Sequence, residues 1–121
     1  MITAKKILMA VVIMLCTATL FAQQTVVVTK ETPNGREELR YNENKELDGR
    51  CLTWNQEGVL VGLAEYRDGK KHGVWKVWYD NGQLAYRIRY KNGEKVGTWK
   101  HWDEDGNLVV QRKYEKVVTP K

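Results

Sequence analysis

Residues 66–84 read YRDGKKHGVWKVWYDNGQL, and the pattern returns 24 residues later as YKNGEKVGTWKHWDEDGNL at residues 90–108. A third, more divergent copy precedes them. The columns that keep the 24-residue period are Tyr66/Tyr90/Tyr114, Trp54/Trp78/Trp102, Gly49/Gly73/Gly97, Gly58/Gly82/Gly106 and Leu60/Leu84/Leu108. Five columns at one period establish an internal repeat, and a period of this length is typical of proteins whose copies stack on one another.

Each copy contains two strand-like segments separated by turn residues. Residues 74–79 and 84–90 are rich in aromatic and β-branched side chains, which favour strands. Asn81-Gly82 lies between them, and Asp68-Gly69 and Asn92-Gly93 lie between copies; such pairs tolerate positive φ and are strong hairpin signals. A lone hairpin is marginal in water, so the copies must share one sheet. We therefore predict an all-β fold: an antiparallel β-meander, or solenoid, of about 24-residue hairpins in one elongated twisted sheet.

The first copy departs from the pattern. Cys51 replaces Trp75 and Trp99, and Tyr41 is one residue out of step, which predicts a single-residue insertion before Gly49. Residues 25–41 read as a degenerate leading hairpin, as capping of a repeat array requires. The predicted organisation is an N-terminal cap at residues 23–41, three hairpin repeats at 42–114 and a C-terminal tail at 115–121.

The first 22 residues have the parts of a secretory signal peptide: Lys5 and Lys6, an apolar run, and a small residue before the cut. We expect cleavage after Ala22 and a periplasmic or extracellular location; acylation of Cys16 is the alternative. The remaining chain has 18 basic and 15 acidic residues, a net charge of +3. That mild charge and export both argue against a nucleic-acid partner. Only Cys51 remains, so we expect it to be a buried small hydrophobe, with an intermolecular disulfide as the alternative.

Strict alternation of side chains assigns the two faces of the sheet. One face carries Trp75, Val77 and Tyr79, facing Leu84, Tyr86, Ile88 and Tyr90, and is assigned to the core. The other mixes aromatic residues with cations, includes Ala85, and is assigned to solvent. The predicted partner-binding face consists of Trp54, Trp78, Trp102, Lys76, Lys100, Arg87 and Arg89. The alternative is that these tryptophans are cross-strand packing covered by cation stems; a bulge would change the faces locally.

No arrangement typical of catalysis is present in the sequence. His72 and His101 occupy non-equivalent repeat positions, and no Cys or His residues stand at metal-ligand spacing. Asp103-Glu104-Asp105 fits a solvated turn better than a calcium loop. The sequence predicts a protein that is not an enzyme and that needs no cofactor or metal.

The pattern Gly-x-Trp-Lys-x-Trp-x-x-x-Gly-x-Leu, followed by a tyrosine and Asn-Gly, resembles the bacterial MORN-repeat variant family, often catalogued as YwqK-like antitoxin components of toxin–antitoxin modules. The resemblance covers Tyr41 to about Tyr114. It implies a β-hairpin solenoid with a binding role.

Three functional hypotheses remain. The first is a secreted, non-catalytic module that binds a protein, in the manner of an antitoxin or immunity protein. The second is glycan or cell-wall binding through the aromatic and basic face. The third is attachment to a membrane surface, which a net charge of +3 supports weakly. Neighbouring genes discriminate best: a toxin-like reading frame favours the first hypothesis, and polysaccharide-handling enzymes the second.

Overall fold

The computed structural model describes residues 25–115, which form one open antiparallel sheet and no helix. The all-β prediction is confirmed. The strands are β1 Val26–Thr32, β2 Gly35–Tyr41, β3 Gly49–Asn55, β4 Leu60–Arg67, β5 Lys70–Lys71, β6 Gly73–Trp78, β7 Leu84–Lys91, β8 Glu94–Trp102 and β9 Leu108–Tyr114. Their order is β1-β2-β3-β4-β6-β7-β8-β9, with the short β5 also paired to β4. Each strand therefore lies beside its neighbour in the sequence, as in a meander.

Two predictions fall outside the described residues: the signal peptide at 1–22, with its alternative acylation site Cys16, and all of the C-terminal tail after Glu115. Within residues 25–115, no helix is long and apolar enough to span a membrane.

The turns between copies are two-residue hairpin turns. Asp68 and Gly69 have φ of 48° and 80°, and Asn92 and Gly93 have φ of 50° and 87°. Positive φ at both central residues matches the right-handed twist of the flanking strands, which is why Asp-Gly and Asn-Gly occur here. Both hairpins are confirmed.

The turns inside each copy are longer. The Tyr79 nitrogen donates to the Gln83 carbonyl at 2.9 Å, and the Gly82 nitrogen donates back to the Tyr79 carbonyl at 3.0 Å. Gly82 has φ 86°, but Asn81 is not in the positive-φ region; its side chain instead accepts a hydrogen bond from the Gln83 nitrogen at 2.9 Å. The hairpin prediction is correct, but the Asn-Gly pair is used differently from the one at 92–93.

The divergent first copy has a longer loop at residues 42–48, at the predicted insertion. The Asn42 nitrogen donates to the Glu46 carbonyl at 2.9 Å, and Lys45 takes a positive φ of 61°. The Asn42 side-chain oxygen accepts from two backbone nitrogens in the same loop. The extra residue is thus accommodated in the loop between β2 and β3, so Gly49 still starts β3.

A bulge in each of the three repeat hairpins changes the assignment of faces. Val77 pairs with Tyr86, but the next residue, Trp78, pairs with Leu84, so Ala85 is the extra residue. The register shifts in the same way at Thr53/Trp54 and at His101/Trp102. Strict alternation placed Ala85 on the solvent face, and the bulge makes this assignment wrong. Val77 was assigned to the core; it does lie on the face of Trp75, but it is not buried, because the sheet is a single layer. Ala85 is 2% exposed and Val77 is 44% exposed. Leu84, also assigned to the core, stands opposite Trp78.

Because the sheet is a single layer, few residues are fully buried. Cys51, Ala85 and Tyr90 are the buried hydrophobic residues of the described chain, and the burial of Cys51 agrees with its interpretation as a small hydrophobe. The rest of the packing is aromatic. Trp75 lies between Tyr66 and Tyr90, with ring centroids 5.4 and 5.2 Å apart, and Tyr86 stacks on Trp99 and His101. These aromatic rows, on the face predicted to hold Trp75 and Trp99, replace a two-layer core.

Candidate binding face

Three cations stand side by side on the face opposite the aromatic rows, called the outer face below. Lys76 of β6 pairs with Arg87 of β7, and Arg87 pairs with Lys100 of β8. Directly opposed residues in antiparallel strands have Cβ atoms about 4.5–5.5 Å apart, and like charges at that distance are destabilising. The fold therefore holds three positive charges in an unfavourable row.

A fourth cation from the predicted site lies in the next row. Arg89 stands opposite Val74, two residues along β7 from Arg87. None of Lys76, Arg87, Arg89 and Lys100 forms a salt bridge with a carboxylate among residues 25–115. A further cation, Lys113, faces Thr98 and lies 3.5 Å from Glu115. The charge of this half of the outer face is thus left largely without local compensation.

The other half of the same face is balanced. Arg40 pairs with Glu38, and Arg50 pairs with Glu65, each at 3.1 Å. In the row that contains the three cations, the matching positions on β3 and β4 are Leu52 and Leu63. The change from paired to unpaired charge occurs between β4 and β6.

A groove of about 320 Å³ runs over the cationic half. Its polar lining comes from Arg87, Arg89 and Lys100, together with Thr98 and Gln111. Guanidinium groups donate two parallel hydrogen bonds to a carboxylate or phosphate, and the hydroxyl and amide add neutral donors. The groove is suited to an oxyanion-bearing ligand. Thr98 and Gln111 were not among the predicted site residues, although strand alternation places both on this face.

The three tryptophans of the predicted site lie on the outer face, near the C-terminal ends of β3, β6 and β8. Alternation along β3, β6 and β8 puts Trp54, Trp78 and Trp102 two residues beyond Leu52, Lys76 and Lys100 respectively. All three are half-buried, and none lines the groove. The guanidinium carbon of Arg36 lies 4.4 Å from the Trp54 ring centroid, a cation–π contact within the chain. The structure thus gathers the four cations and leaves the tryptophans as a flanking column.

The turns beside the tryptophans are cross-linked by hydrogen bonds. Asn55 Nδ2 donates to Asp80 Oδ1 at 3.0 Å, and Asn81 Nδ2 donates to the Glu104 carbonyl at 3.0 Å. The Tyr79 hydroxyl donates to the Trp102 carbonyl at 2.9 Å, and desolvation raises the pKa of this hydroxyl. These contacts were not predicted from the sequence, because the repeat column at 55, 79 and 103 holds Asn, Tyr and Asp and shows no shared chemistry.

Asp103 stabilises the last of these turns. Its Oδ1 accepts hydrogen bonds from the Asn107 nitrogen at 2.8 Å and the Asp105 nitrogen at 3.0 Å. Backbone donation from Asn107, the largest of several such contributions, lowers the pKa of this carboxyl. Asp103, the first residue of the acidic cluster, therefore has a structural role in the turn.

Ligands for a metal do not converge in the part of the chain that the structure describes: no three His, Cys, Asp or Glu side chains there form a group able to hold an ion. His101 Nδ1 lies 2.9 Å from the Ala85 carbonyl, and its ring stacks on Tyr86 at 4.2 Å. His101 is thus part of the aromatic packing.

Comparison with known proteins identifies the repeat. Two segments, residues 71–92 and 95–116, match the family model of the MORN repeat variant. No curated protein and no solved structure matches the chain. MORN repeats are non-enzymatic modules generally associated with binding to proteins or membranes. The two matched segments correspond to the β5–β7 and β8–β9 hairpins that carry the cationic half of the outer face, and these hairpins are similar to the MORN repeat variant.

Proposed function

We propose that this chain is an exported, non-catalytic repeat module that binds a protein partner through an acidic surface of that partner. The observation that carries the proposal is the row Lys76–Arg87–Lys100, which holds like charges in direct opposition without a carboxylate partner among residues 25–115.

The row costs stability in the free protein. Opposed like charges are unfavourable, and a folded chain gains nothing from placing three of them on consecutive strands. An anionic partner offsets that repulsion on binding. Complementary charge of this kind speeds association and rejects partners of the same sign. The groove beside the row gives the partner's carboxylates a concave place to reach Arg87 and Arg89.

Export and an immunity-like role belong to the same proposal. Residues 1–22 have the composition of a signal peptide, so the partner would be met outside the cytoplasm. A secreted toxin with an acidic surface fits both requirements. A toxin-like reading frame beside the gene would support this form of the proposal.

The test is recovery of partners from the exported fraction with charge-reversed baits. Arg87→Glu replaces the central cation of the row, and Lys70→Glu makes the same charge change at an exposed position in β5, beside the turn and away from the row. We expect the wild type and Lys70→Glu to recover the same protein and Arg87→Glu to lose it. Equal recovery by all three baits would contradict the proposal.

An anionic glycan is the second candidate, because Trp78 and Trp102 stand on the same face as the cations, two strands or roughly 10 Å apart. Exposed aromatic rings stack on sugars. Sedimentation of the chain with purified cell wall, and separately with vesicles of anionic lipid, distinguishes these ligands from a protein. Arg87→Glu should abolish whichever of these interactions is real.

A further inference from the structure

The two end strands of the sheet are open and apolar. Within residues 25–115, β1 pairs only with β2, and β9 pairs only with β8. Val26, Val27 and Val28 are 55%, 50% and 41% exposed, and Leu108, Val109 and Val110 are 51%, 55% and 40% exposed. An open edge presents unpaired backbone groups and is a template for another strand. Both ends of this sheet therefore combine backbone donors and acceptors with exposed hydrophobic side chains.

We propose that a second copy of this chain covers these edges, with β9 of one copy paired antiparallel to β1 of the next. Gln111 of β9 also lines the cationic groove, but the inference rests on the backbone edges and does not depend on the proposed function.

The direction of the strands favours this occupant. The path β1-β2-β3-β4-β6-β7-β8-β9 contains eight strands that alternate in direction, so β1 and β9 run opposite to each other. A next copy in the same orientation therefore brings its β1 antiparallel to β9. The alternation of strand direction thus continues from one copy to the next, and both copies keep the same orientation.

Three internal junctions fix the expected register. Where one hairpin meets the next, the pairs are Glu37 with Thr53, Gly62 with Val77, and Tyr86 with His101. The first residue of each pair lies four before a repeat tyrosine, at 41, 66 or 90. Val110 holds this position before Tyr114 and has no following strand within the described chain.

The matching position on β1 follows from the hairpins. Thr53, Val77 and His101 pair within their own hairpins with Gly62, Tyr86 and Val110. Lys30 pairs with Glu37 in the same way. The internal rule thus places Val110 opposite Lys30 of the next copy, and Gln111 opposite Thr29.

The side chains are compatible in this register. Continuing it along both strands puts Arg112 opposite Val28, Lys113 opposite Val27, and Glu31 opposite Val109. Every charged residue of either strand then faces a valine, along which its stem can lie. No two like charges are directly opposed. On the outer face the row that contains Lys76, Arg87 and Lys100 starts at Thr29 and ends at Gln111, so the junction joins two polar side chains.

Charged residues on edge strands normally guard against pairing. Here Lys30, Arg112 and Lys113 disfavour registers that oppose cations and permit the register above. These three cations therefore favour one register between β9 and β1 and do not prevent the two edges from pairing. Head-to-tail contacts of this type produce chains or rings of copies.

The test is disulfide trapping between two variants of the full exported chain. Thr29→Cys and Gln111→Cys variants are mixed under mild oxidation; directly opposed residues have Cα atoms about 4.5–5.5 Å apart, within disulfide reach. The control replaces Gln111→Cys with Val110→Cys, which is adjacent in sequence but points to the other face. Cys51 is 6% exposed, so wild-type chain under the same conditions gives the background.

We expect a mixed disulfide from Thr29→Cys with Gln111→Cys at least several-fold above the control pair, and a molar mass that rises with concentration in light scattering. Val27→Lys, which opposes Lys113 of the next copy, should lower that association several-fold. Arg87→Glu should leave it unchanged. A monomeric mass at all concentrations overturns the proposal, as does equal trapping in the control pair. Trapping by either variant alone, or capture of a different protein at these edges, also overturns it.

Discussion

The indole nitrogen of Trp75 donates a hydrogen bond to the backbone carbonyl of Glu65 at 3.1 Å. The bond joins β4 to β6, strands of two adjacent hairpins, close to where β6 begins. The same indole packs between Tyr66 and Tyr90 and carries Lys71 Nζ 4.5 Å from its centre. Trp75 is therefore the side chain with the most connections on the aromatic face.

Trp75→Ala should destabilise the protein severely. Loss of a large packed aromatic typically costs about 3–5 kcal/mol, a large fraction of the stability of a domain this size. Trp75→Phe keeps an aromatic ring but loses the bond to Glu65, and should cost less, about 1–2 kcal/mol. Urea unfolding followed by circular dichroism measures both. A small effect of Trp75→Ala would show that the aromatic rows are not the main source of stability.

Trp78→Ala tests the outer column. Trp78 is half-buried and stands opposite Leu84 beside the bulge, so its loss removes about 1 kcal/mol of cross-strand packing. Trp102→Ala, at the equivalent position opposite Leu108, should behave alike. The loss of binding free energy for the proposed partner should exceed the loss of folding free energy, because the exposed part of the Trp78 ring can anchor a partner. If Trp78→Ala is as damaging as Trp75→Ala, both tryptophans are primarily structural.

The 24-residue period predicted the all-β meander, because the same turn and strand residues recur in every copy. The period also placed the insertion before Gly49. Alternation failed at Leu84 and Ala85, because a bulge adds a residue without changing the 24-residue period. Val77 lies on the face that alternation predicted, but it is exposed because the sheet is a single layer. The cationic row likewise could not be predicted from the sequence period alone. Lys76 and Lys100 share a repeat column, but only the register between strands places Arg87 directly between them.

Gly73→Ala and Gly97→Ala form a matched pair. Each glycine lies two residues before the first tryptophan of its copy, with φ of 88° at Gly73 and 69° at Gly97, so each substitution carries a similar backbone cost of about 1 kcal/mol or more. A methyl group at Gly97 meets open space, whereas at Gly73 it runs into the Glu65 carboxylate, which also binds the Val74 nitrogen at 2.8 Å and Arg50 at 3.1 Å. Gly73→Ala should therefore lower the thermal midpoint more than Gly97→Ala. Equal effects would show that Glu65 moves aside freely.

Asp103 should make stability depend on acid pH. Its folded-state pKa lies below the ordinary value of 3.8, because the turn nitrogens stabilise the carboxylate. A depressed pKa means that the contribution is fully present above the unfolded value and is lost as pH falls through the folded one. Asp103→Asn keeps an oxygen acceptor but cannot titrate, so the loss of stability below about pH 4 should be shallower than in the wild type. Thermal melts from pH 2 to pH 6 test this, and parallel curves would exclude a role for Asp103.

Most substitutions destabilise a protein, but we expect one in the cationic row to stabilise it. Arg87→Glu places a carboxylate between Lys76 and Lys100, so it replaces two opposed like-charge pairs with two attractive pairs. It should raise the free energy of unfolding by about 0.5–1 kcal/mol at low salt, and high salt should reduce the gain by screening. Arg50→Glu is the contrasting variant: it breaks the pair with Glu65 and opposes two carboxylates, so it should destabilise.

A site retained for binding at a cost in stability gives opposite signs in the two assays. Arg87→Glu should therefore be more stable than the wild type and recover less partner from the exported fraction. Neutral Arg87→Gln should fall between the two in both measurements. If Arg87→Glu is less stable than the wild type, the row carries no repulsion to relieve, and it gives no reason to expect an acidic partner.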